Sequence, residues 1–259
     1  MKRFDRLELD ARHEQAQAQH ASQAESVRDE HHWLRLASDE RRNGNHESAL
    51  RYYSRALEVE RSLVEGWCGQ VQMLIALGEH AEADLWSRKA LELFKNNAAL
   101  LAARTQALCR LRDFKGAHAS CDAAIAQPGL LAAPWLARGE LMLARGEPIE
   151  GYCFDKATQL DGDWLLLIEI ADVYLHYARP TKAIVRLREA VDRAPGHAHC
   201  WFRLGTCELS LGLTDPASRS FARCLQVEPR HRGALDEIHK LTQARRPMRQ
   251  WVRRMFRRG

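Results

Sequence analysis

The segment AHCWFRLGTCELSLGLTDPASRSFARCLQVEPRH, residues 198–231, decides the fold. Its large and small residues keep helical spacing from Trp201 to Glu208, and the pattern breaks at Gly212. A second helical run begins at Ala217, continues through Phe221 and closes at Pro229. The segment therefore predicts two helices joined by a tight turn.

Related copies of this unit precede it along the chain. A bulky residue opens each copy, at steps of 34, 34, 34, 32 and 34 residues: Trp33, Trp67, Leu101, Trp135, Leu167 and Trp201. A small residue recurs later in each copy: Ala56, Ala90, Ala124, Ala157, Ala190 and Cys224. A period of this length is the signature of a solenoid, in which each helix pair buries its apolar face against its neighbours.

The pattern W-x2-L-G, followed by A-x3-F and a closing proline, resembles the tetratricopeptide repeat. The last copy carries it at Trp201, Leu204, Gly205, Ala217, Phe221 and Pro229. The third copy departs from it, with Leu101 in place of the tryptophan and Arg112 in place of the turn glycine. The resemblance implies an all-α, right-handed superhelical solenoid of helix-turn-helix repeats with a C-terminal capping helix.

The repeat boundaries predict the organisation of the chain. Residues 1–29 form a helical or partly disordered extension, residues 232–244 a capping helix and residues 245–259 a basic amphipathic tail. Six repeats lie between them, at 30–63, 64–97, 98–131, 132–163, 164–197 and 198–231. The fourth copy is short between its helices and has Gly151 inside the second one, so either tolerated drift or a bend in the superhelix is expected there.

Composition excludes several classes of protein. The chain has 39 basic and 34 acidic residues, but seven arginines belong to the last fifteen residues, so the rest is close to neutral. A surface that coats nucleic acid is therefore not indicated. The N-terminus has no apolar core typical of a secretory signal, and no apolar run approaches the length of a membrane span. An odd number of cysteines without a CxxC pair favours a reducing cytoplasm.

No constellation of residues indicates catalysis, so an enzyme is not expected. Phosphate loops, nucleophile elbows and HExxH zinc motifs are absent. His197, His199 and Cys200 lie close together but have no fourth ligand at a suitable spacing, so neither a metal nor another cofactor is predicted. The cysteines fall mostly where the repeat requires a small apolar residue, which favours buried structural thiols.

The resemblance implies that the first helix of each repeat lines a concave groove, which predicts the partner site. Its N-terminal half is basic and polar, whereas its C-terminal half is rich in leucine, isoleucine and phenylalanine. No repeat has asparagine at its ninth residue, which argues against a clamp for a C-terminal carboxylate. The apolar half suits an amphipathic helix or a hydrophobic segment of a partner, although packing between neighbouring helices explains such residues equally well. The predicted groove residues are Leu34, Arg41, Arg42, Gln72, Ile75, Gln106, Arg110, Leu136, Glu140, Leu143, Ile168, Asp172, Leu175, His176, Phe202, Thr206 and Leu209.

The tail, RRPMRQWVRRMFRRG, is more than a run of positive charge. Its apolar residues keep the spacing of one helical stripe, and arginines occupy the other faces. The predicted docking residues are Arg249, Trp251, Val252, Arg253, Met255 and Phe256. So short a helix is marginal alone, and it should fold on a surface.

The sequence leaves several functions open. The leading hypothesis is a cytoplasmic, non-catalytic adaptor or scaffold that binds a protein or peptide in its groove. The alternative is a peripheral protein that attaches through its tail to a membrane surface or, with a poorer fit of the apolar stripe, to nucleic acid. A third hypothesis is self-association, with the tail or N-terminal helix of one copy in the groove of the next.

Overall fold

The chain folds as an uninterrupted series of α-helices. The computed structural model describes the backbone of residues 29–255 and the side chains of residues 29–243. Within that part of the chain there are thirteen helices and no strand. They are α1 (Glu30–Arg42), α2 (His46–Val59), α3 (Val64–Leu77), α4 (His80–Leu93), α5 (Ala98–Arg110), α6 (Phe114–Ile125), α7 (Ala132–Arg145), α8 (Glu150–Leu160), α9 (Trp164–His176), α10 (Pro180–Arg193), α11 (Ala198–Ser210), α12 (Thr214–Val227) and α13 (Arg232–Met255).

The first twelve helices form six antiparallel pairs, which confirms the predicted all-α helical solenoid. The recurring small residues lie where the two helices of a pair meet. Ala49, Ala83, Ala117, Ala183 and Ala217 are all fully buried. A side chain at Gly205 would overlap the ring of Phe221 on the second helix of its pair. Small residues at these positions therefore let two backbones approach closely, as the sequence pattern requires.

The turn inside each pair has one residue in the left-handed region. Four of these six positions are glycines, Gly44, Gly78, Gly146 and Gly212, with φ between 75° and 86°. The other two are Arg112 at φ 63° and Ala178 at φ 54°. The spacing of the repeat is thus kept even where glycine is replaced, and the non-glycine residues carry backbone strain.

The junction between the fourth and fifth pairs differs from the others. The Cα atoms of α8 and α9 approach one another less closely than those of the corresponding helices at the other junctions of residues 29–255. Large side chains fill the space, with the rings of Phe154 and Tyr174 5.1 Å apart. Buried Glu150 bonds to Lys182 across the same junction. Gly151 is not required by packing, because a Cβ there would meet nothing within 4 Å.

The last helix covers the end of the stack and then continues. Ala234, Ile238 and Leu241 of α13 join a core cluster with Phe221 of α12. The helix has no break at residue 244, because its backbone is helical to Met255. The tail side chains and the predicted extension before residue 29 lie outside the described residues.

Candidate functional site

The concave faces of the first helices surround one central cavity. It has a volume of about 360 Å³ and is partly open to solvent. All six pairs contribute to its lining, five of them through their first helices alone. Apolar side chains form much of the wall, including Met73, Ile75, Leu165, Ile168 and Leu175. Arginines and carboxylates from α1, α5, α9 and α11 form the rest. The site is therefore a small chamber of mixed polarity.

The chamber is small because the first pair contacts the fifth and sixth. Arg41 at the end of α1 donates to the carboxylate of Glu169 on α9. Arg42 donates from both terminal nitrogens to Asp163 Oδ2, at 2.7 and 2.6 Å. The Arg42 guanidinium also lies 5.1 Å from the ring centre of Trp164. We call these contacts, together with that of Gly44 on His199, the latch.

Gly44 is the tightest point of the latch. It is the turn residue of the first pair, and a Cβ on it would overlap the imidazole ring of His199 on α11. The second pair also contacts the fifth, because the imidazole rings of His80 and His176 lie 5.8 Å apart in an edge-on arrangement. The latch thus joins the first pair to the fifth and sixth through residues more than a hundred positions apart, and the His80–His176 contact joins the second pair to the fifth.

Two histidines beside the latch favour their neutral form. Burial, with the nearby His46 and His231 acting in the same direction, lowers the pKa of His199 to about 3. Burial also lowers the pKa of His46, and the positive charges of Arg203 and Arg41 act in the same direction. Protonation of either ring would place a charge in a buried or half-buried position, and at His46 it would lie near these two arginines.

A buried polar network braces the floor of the chamber. Glu140 is completely buried and accepts hydrogen bonds from Gln106 Nε2 and Arg110 Nε, both at 2.8 Å. The hydroxyl of Tyr177 donates to the same carboxylate at 3.4 Å. Burial and the Glu140 charge together raise the pKa of Tyr177 far above its ordinary value, so the phenol remains a donor. Four groups from three helix pairs are tied together in this way.

Two arginines in the wall keep unused donors. Arg203 on α11 bonds to Asp172 through a terminal nitrogen, much as Arg41 bonds to Glu169. The Nε atoms of both arginines are buried and have no hydrogen-bond partner among the described residues. A carbonyl or carboxylate brought into the chamber would meet cationic donors with unsatisfied capacity.

The predicted groove residues separate into two groups. Ten line the chamber: Arg41, Gln72, Ile75, Gln106, Arg110, Leu136, Ile168, Asp172, Leu175 and His176. The other seven do not. Leu34 is in the core of the first pair, Arg42 belongs to the latch and Glu140 lies beneath Arg110. Leu143 packs on the core of pairs four and five, Phe202 and Leu209 pack beside α12 and α13, and Thr206 is exposed and donates to the carbonyl of Phe202.

Sequence reasoning missed several residues that the chamber brings together. Met73, Glu169, His199 and Arg203 all line it, as does His46 from the start of a second helix. The fixed repeat positions used for the prediction omit them. They share no residue type, since Met73 is apolar and the other four are polar or charged, so a single sequence gives no common signal for them.

The histidines and cysteines that the sequence offers for chemistry can be placed in the structure. Among residues 29–243 no three histidines, cysteines, aspartates or glutamates are grouped so as to hold a metal ion. Six of the seven cysteines are buried and Cys68 is partly so, and burial raises the pKa of the Cys68 thiol to about 12. No helix in the described part of the chain is both long and apolar enough to cross a bilayer.

The similarities of this chain to known proteins are short or distant. No protein-family model matches the chain. A peroxisomal targeting signal receptor of Yarrowia lipolytica is 37% identical over 57 residues, which are 22% of this chain and 10% of the receptor, so the chain spans about a tenth of that relative. A tetratricopeptide repeat protein of Parabacteroides merdae has a TM-score of 0.46 at 18% identity and covers 93% of this chain and 94% of its own. A thermophilic tetratricopeptide-repeat protein of Thermus thermophilus has a TM-score of 0.48 at 17% identity, over 83% of this chain and 98% of its own. The sequence period and the six helix pairs of residues 29–255 together give this chain a tetratricopeptide-type solenoid fold.

Proposed function

We propose that the chain is a non-catalytic scaffold that binds a short, extended peptide segment of a partner protein in its central chamber. The observation that carries the proposal is the chamber itself, where the first helices of the repeats place apolar walls beside arginines with unused donors. Apolar walls with a few convergent polar groups are typical of sites for small ligands and peptides.

The size of the chamber favours a short segment. The chamber holds about 360 Å³. A helix with its side chains is 10–12 Å across, so a single turn already needs a volume on the order of 400 Å³. We therefore expect two or three residues of an extended peptide to fit the chamber more readily than a helix does while the latch is closed.

The polar groups of the wall favour a peptide backbone. Peptide carbonyls accept hydrogen bonds from arginine without requiring a net charge, and Arg41 and Arg203 already have carboxylate neighbours that limit their attraction for an anion. Apolar side chains of the peptide would then contact Met73, Ile168 and Leu175. The expected ligand is an extended apolar sequence of a few residues.

A peptide-display library tests this proposal. Random hexapeptides would be selected on the full chain, and the enriched sequences measured by fluorescence anisotropy on the wild type and on Leu175→Glu. Leu175 is only partly buried, so the variant should fold. We expect an apolar consensus whose binding is lost in Leu175→Glu and kept in Val185→Glu, a matched change at an exposed site on α10. An absence of enriched sequences, or equal binding by both variants, would refute the proposal.

The attachment of the chain to a membrane or to nucleic acid through its tail remains the alternative proposal. It depends on residues 245–259, whose side chains lie beyond the described part of the chain. The arginine content supports attraction to any anionic surface, and the apolar stripe supports an interfacial helix. Flotation with anionic vesicles, with and without these residues, tests it directly.

A further inference from the structure

A second concavity lies outside the chamber, between α2 and α4 of the first two pairs. We call it the outer groove. It encloses about 910 Å³, and its floor consists of Leu57, Trp67, Trp86, Leu93 and Phe94. The rings of Trp67 and Trp86 lie 5.9 Å apart. Leu93 leaves 58% of its surface exposed, Trp86 and Phe94 are half-buried, and Leu57 and Trp67 are buried beneath them, so the groove presents a partly exposed apolar floor.

The carboxylates that line the outer groove favour a cationic ligand. The face of Trp86 is already occupied by a cation, since the ammonium group of Lys89 lies 4.3 Å from its ring centre. Glu58, Glu60 and Glu92 also line the groove, against Arg61 and Lys89. Glu60 is used locally, since it accepts from the backbone of Ser62. Glu58 and Glu92 are exposed and bond to no other side chain among the described residues, so both carboxylates can pair with an incoming cation.

We propose that the outer groove binds the arginine-rich segment 245–259 of a second copy of this chain. That segment has seven arginines and no acid, and it also carries Met248, Trp251, Val252, Met255 and Phe256. The apolar residues match the floor of the groove, and the arginines match its two unpaired carboxylates. The remainder of the chain has 32 basic and 34 acidic residues, so the segment is attracted to the body of another copy and repelled by its tail.

Helix α13 carries the start of the segment at the C-terminal end of the stack. It packs along α12 and is ten residues longer than α12. At 1.5 Å per residue the excess is about 15 Å, and the backbone continues as one helix to Met255. This part of the helix therefore extends past α12, where a second copy can reach it. Docking of the segment on the groove of its own chain would instead leave the protein monomeric at every concentration.

The proposed contact joins segment 245–259 of one copy to the outer groove of another. If each of two copies places its segment in the groove of the other, a closed dimer forms, whereas contacts in one direction only produce longer head-to-tail assemblies. Because charge pairs at an exposed rim are screened, association should weaken as salt rises.

Sedimentation velocity of the full chain over a range of concentrations tests the proposal. We expect reversible self-association that Glu58→Arg with Glu92→Arg weakens at least about tenfold. Both side chains are exposed, so folding should be retained, and circular dichroism checks it. Adding Arg253→Glu with Arg257→Glu to the same chain should restore association by reversing both charges. Val185→Arg, an exposed apolar site on α10, is the matched control and should leave association unchanged.

Three results would overturn the proposal. The wild type could stay monomeric at every concentration, or the Glu58→Arg and Glu92→Arg variant could associate as well as the wild type. The third result is flotation of the full chain with phosphatidylserine vesicles that depends on Trp251 while no self-association is measured, which would assign the segment to a membrane.

Discussion

Substitution of Gly44 by alanine isolates the contact that closes the ring. Gly44 and Gly78 occupy the same turn position in successive repeats, at φ 78° and 86°. An alanine in the left-handed region destabilises the fold by about 1–2 kcal/mol. Compared with glycine, alanine also lowers the conformational entropy of the unfolded chain, which offsets about 0.5–1 kcal/mol of that cost. A Cβ on Gly78 would meet nothing within 4 Å. Gly78→Ala should therefore lower the free energy of unfolding by only about 0.5–1 kcal/mol.

Gly44→Ala has the same effect on the backbone and also introduces a steric overlap. Its Cβ would overlap the buried His199 ring, which must move away from the turn. Inserting a methyl group into a packed contact costs about 1–3 kcal/mol. The free energy of unfolding should therefore fall by about 1.5–4 kcal/mol in total, and the pairing of Arg41 with Glu169 should loosen with it.

Urea unfolding followed by circular dichroism measures both variants, and small-angle scattering measures whether the ring opens. We expect a larger radius of gyration for Gly44→Ala and an unchanged one for Gly78→Ala. The double variant Gly44→Ala with His199→Ala should recover part of the loss relative to the sum of the single variants, because the obstructing ring is gone. Equal costs for Gly44→Ala and Gly78→Ala would refute the latch.

Three further outcomes are expected. Because the pKa of His199 is lowered to about 3, the unfolded chain binds more protons than the folded one between pH 3 and 6.5, and stability falls as pH drops through that window. Urea unfolding should show a loss of about 2 kcal/mol in the free energy of unfolding from pH 7 to pH 5, which His199→Phe largely removes. The same dependence of stability on pH in His199→Phe and the wild type would contradict the assignment. Ala178→Gly should raise the free energy of unfolding by about 0.5–1 kcal/mol, because it relieves a left-handed alanine; a loss of stability would mean that the turn is not strained. Glu140→Ala should lower the free energy of unfolding by about 3–5 kcal/mol, because it leaves Arg110 unpaired. Replacing both Glu140 and Arg110 by methionine should recover most of that loss in the same measurement.

The repeat period could be predicted because each of its residues has a local reason. Ala49 and Ala83 must be small where two helices touch, and Gly205 must admit Phe221. The turn series was visible even at Arg112, because spacing alone placed it at a position that requires a left-handed backbone. These constraints act within a pair or between neighbours, and they repeat every 34 residues.

The closure of the ring could not be predicted in the same way. Arg41 and Glu169 are 128 positions apart, and Arg42 and Asp163 are 121 positions apart. Their meeting depends on small rotations between successive pairs that add along the stack, and no residue type encodes such a rotation. For the same reason the predicted groove contained Phe202, which α13 covers, and omitted Arg203.

Because partly exposed ion pairs close the ring, we expect pH to influence how large a ligand the chamber admits. The ion pairs of Arg41 and Arg42 leave about a fifth to a third of each side chain exposed, so each contributes roughly 1 kcal/mol. Opening both would cost about 2 kcal/mol, which leaves on the order of one molecule in thirty open near neutral pH. A helical ligand that requires the open ring would then bind about thirtyfold more weakly than its contacts allow, whereas a short extended peptide that fits the closed chamber would not. We expect opening to expose His199, so acidification toward pH 5 should protonate it mainly in the open ring and favour opening. Calorimetry at pH 7 and pH 5 should therefore show tighter binding of a helical peptide at the lower pH and no gain for an extended one, and the opposite order would show that the latch does not limit access.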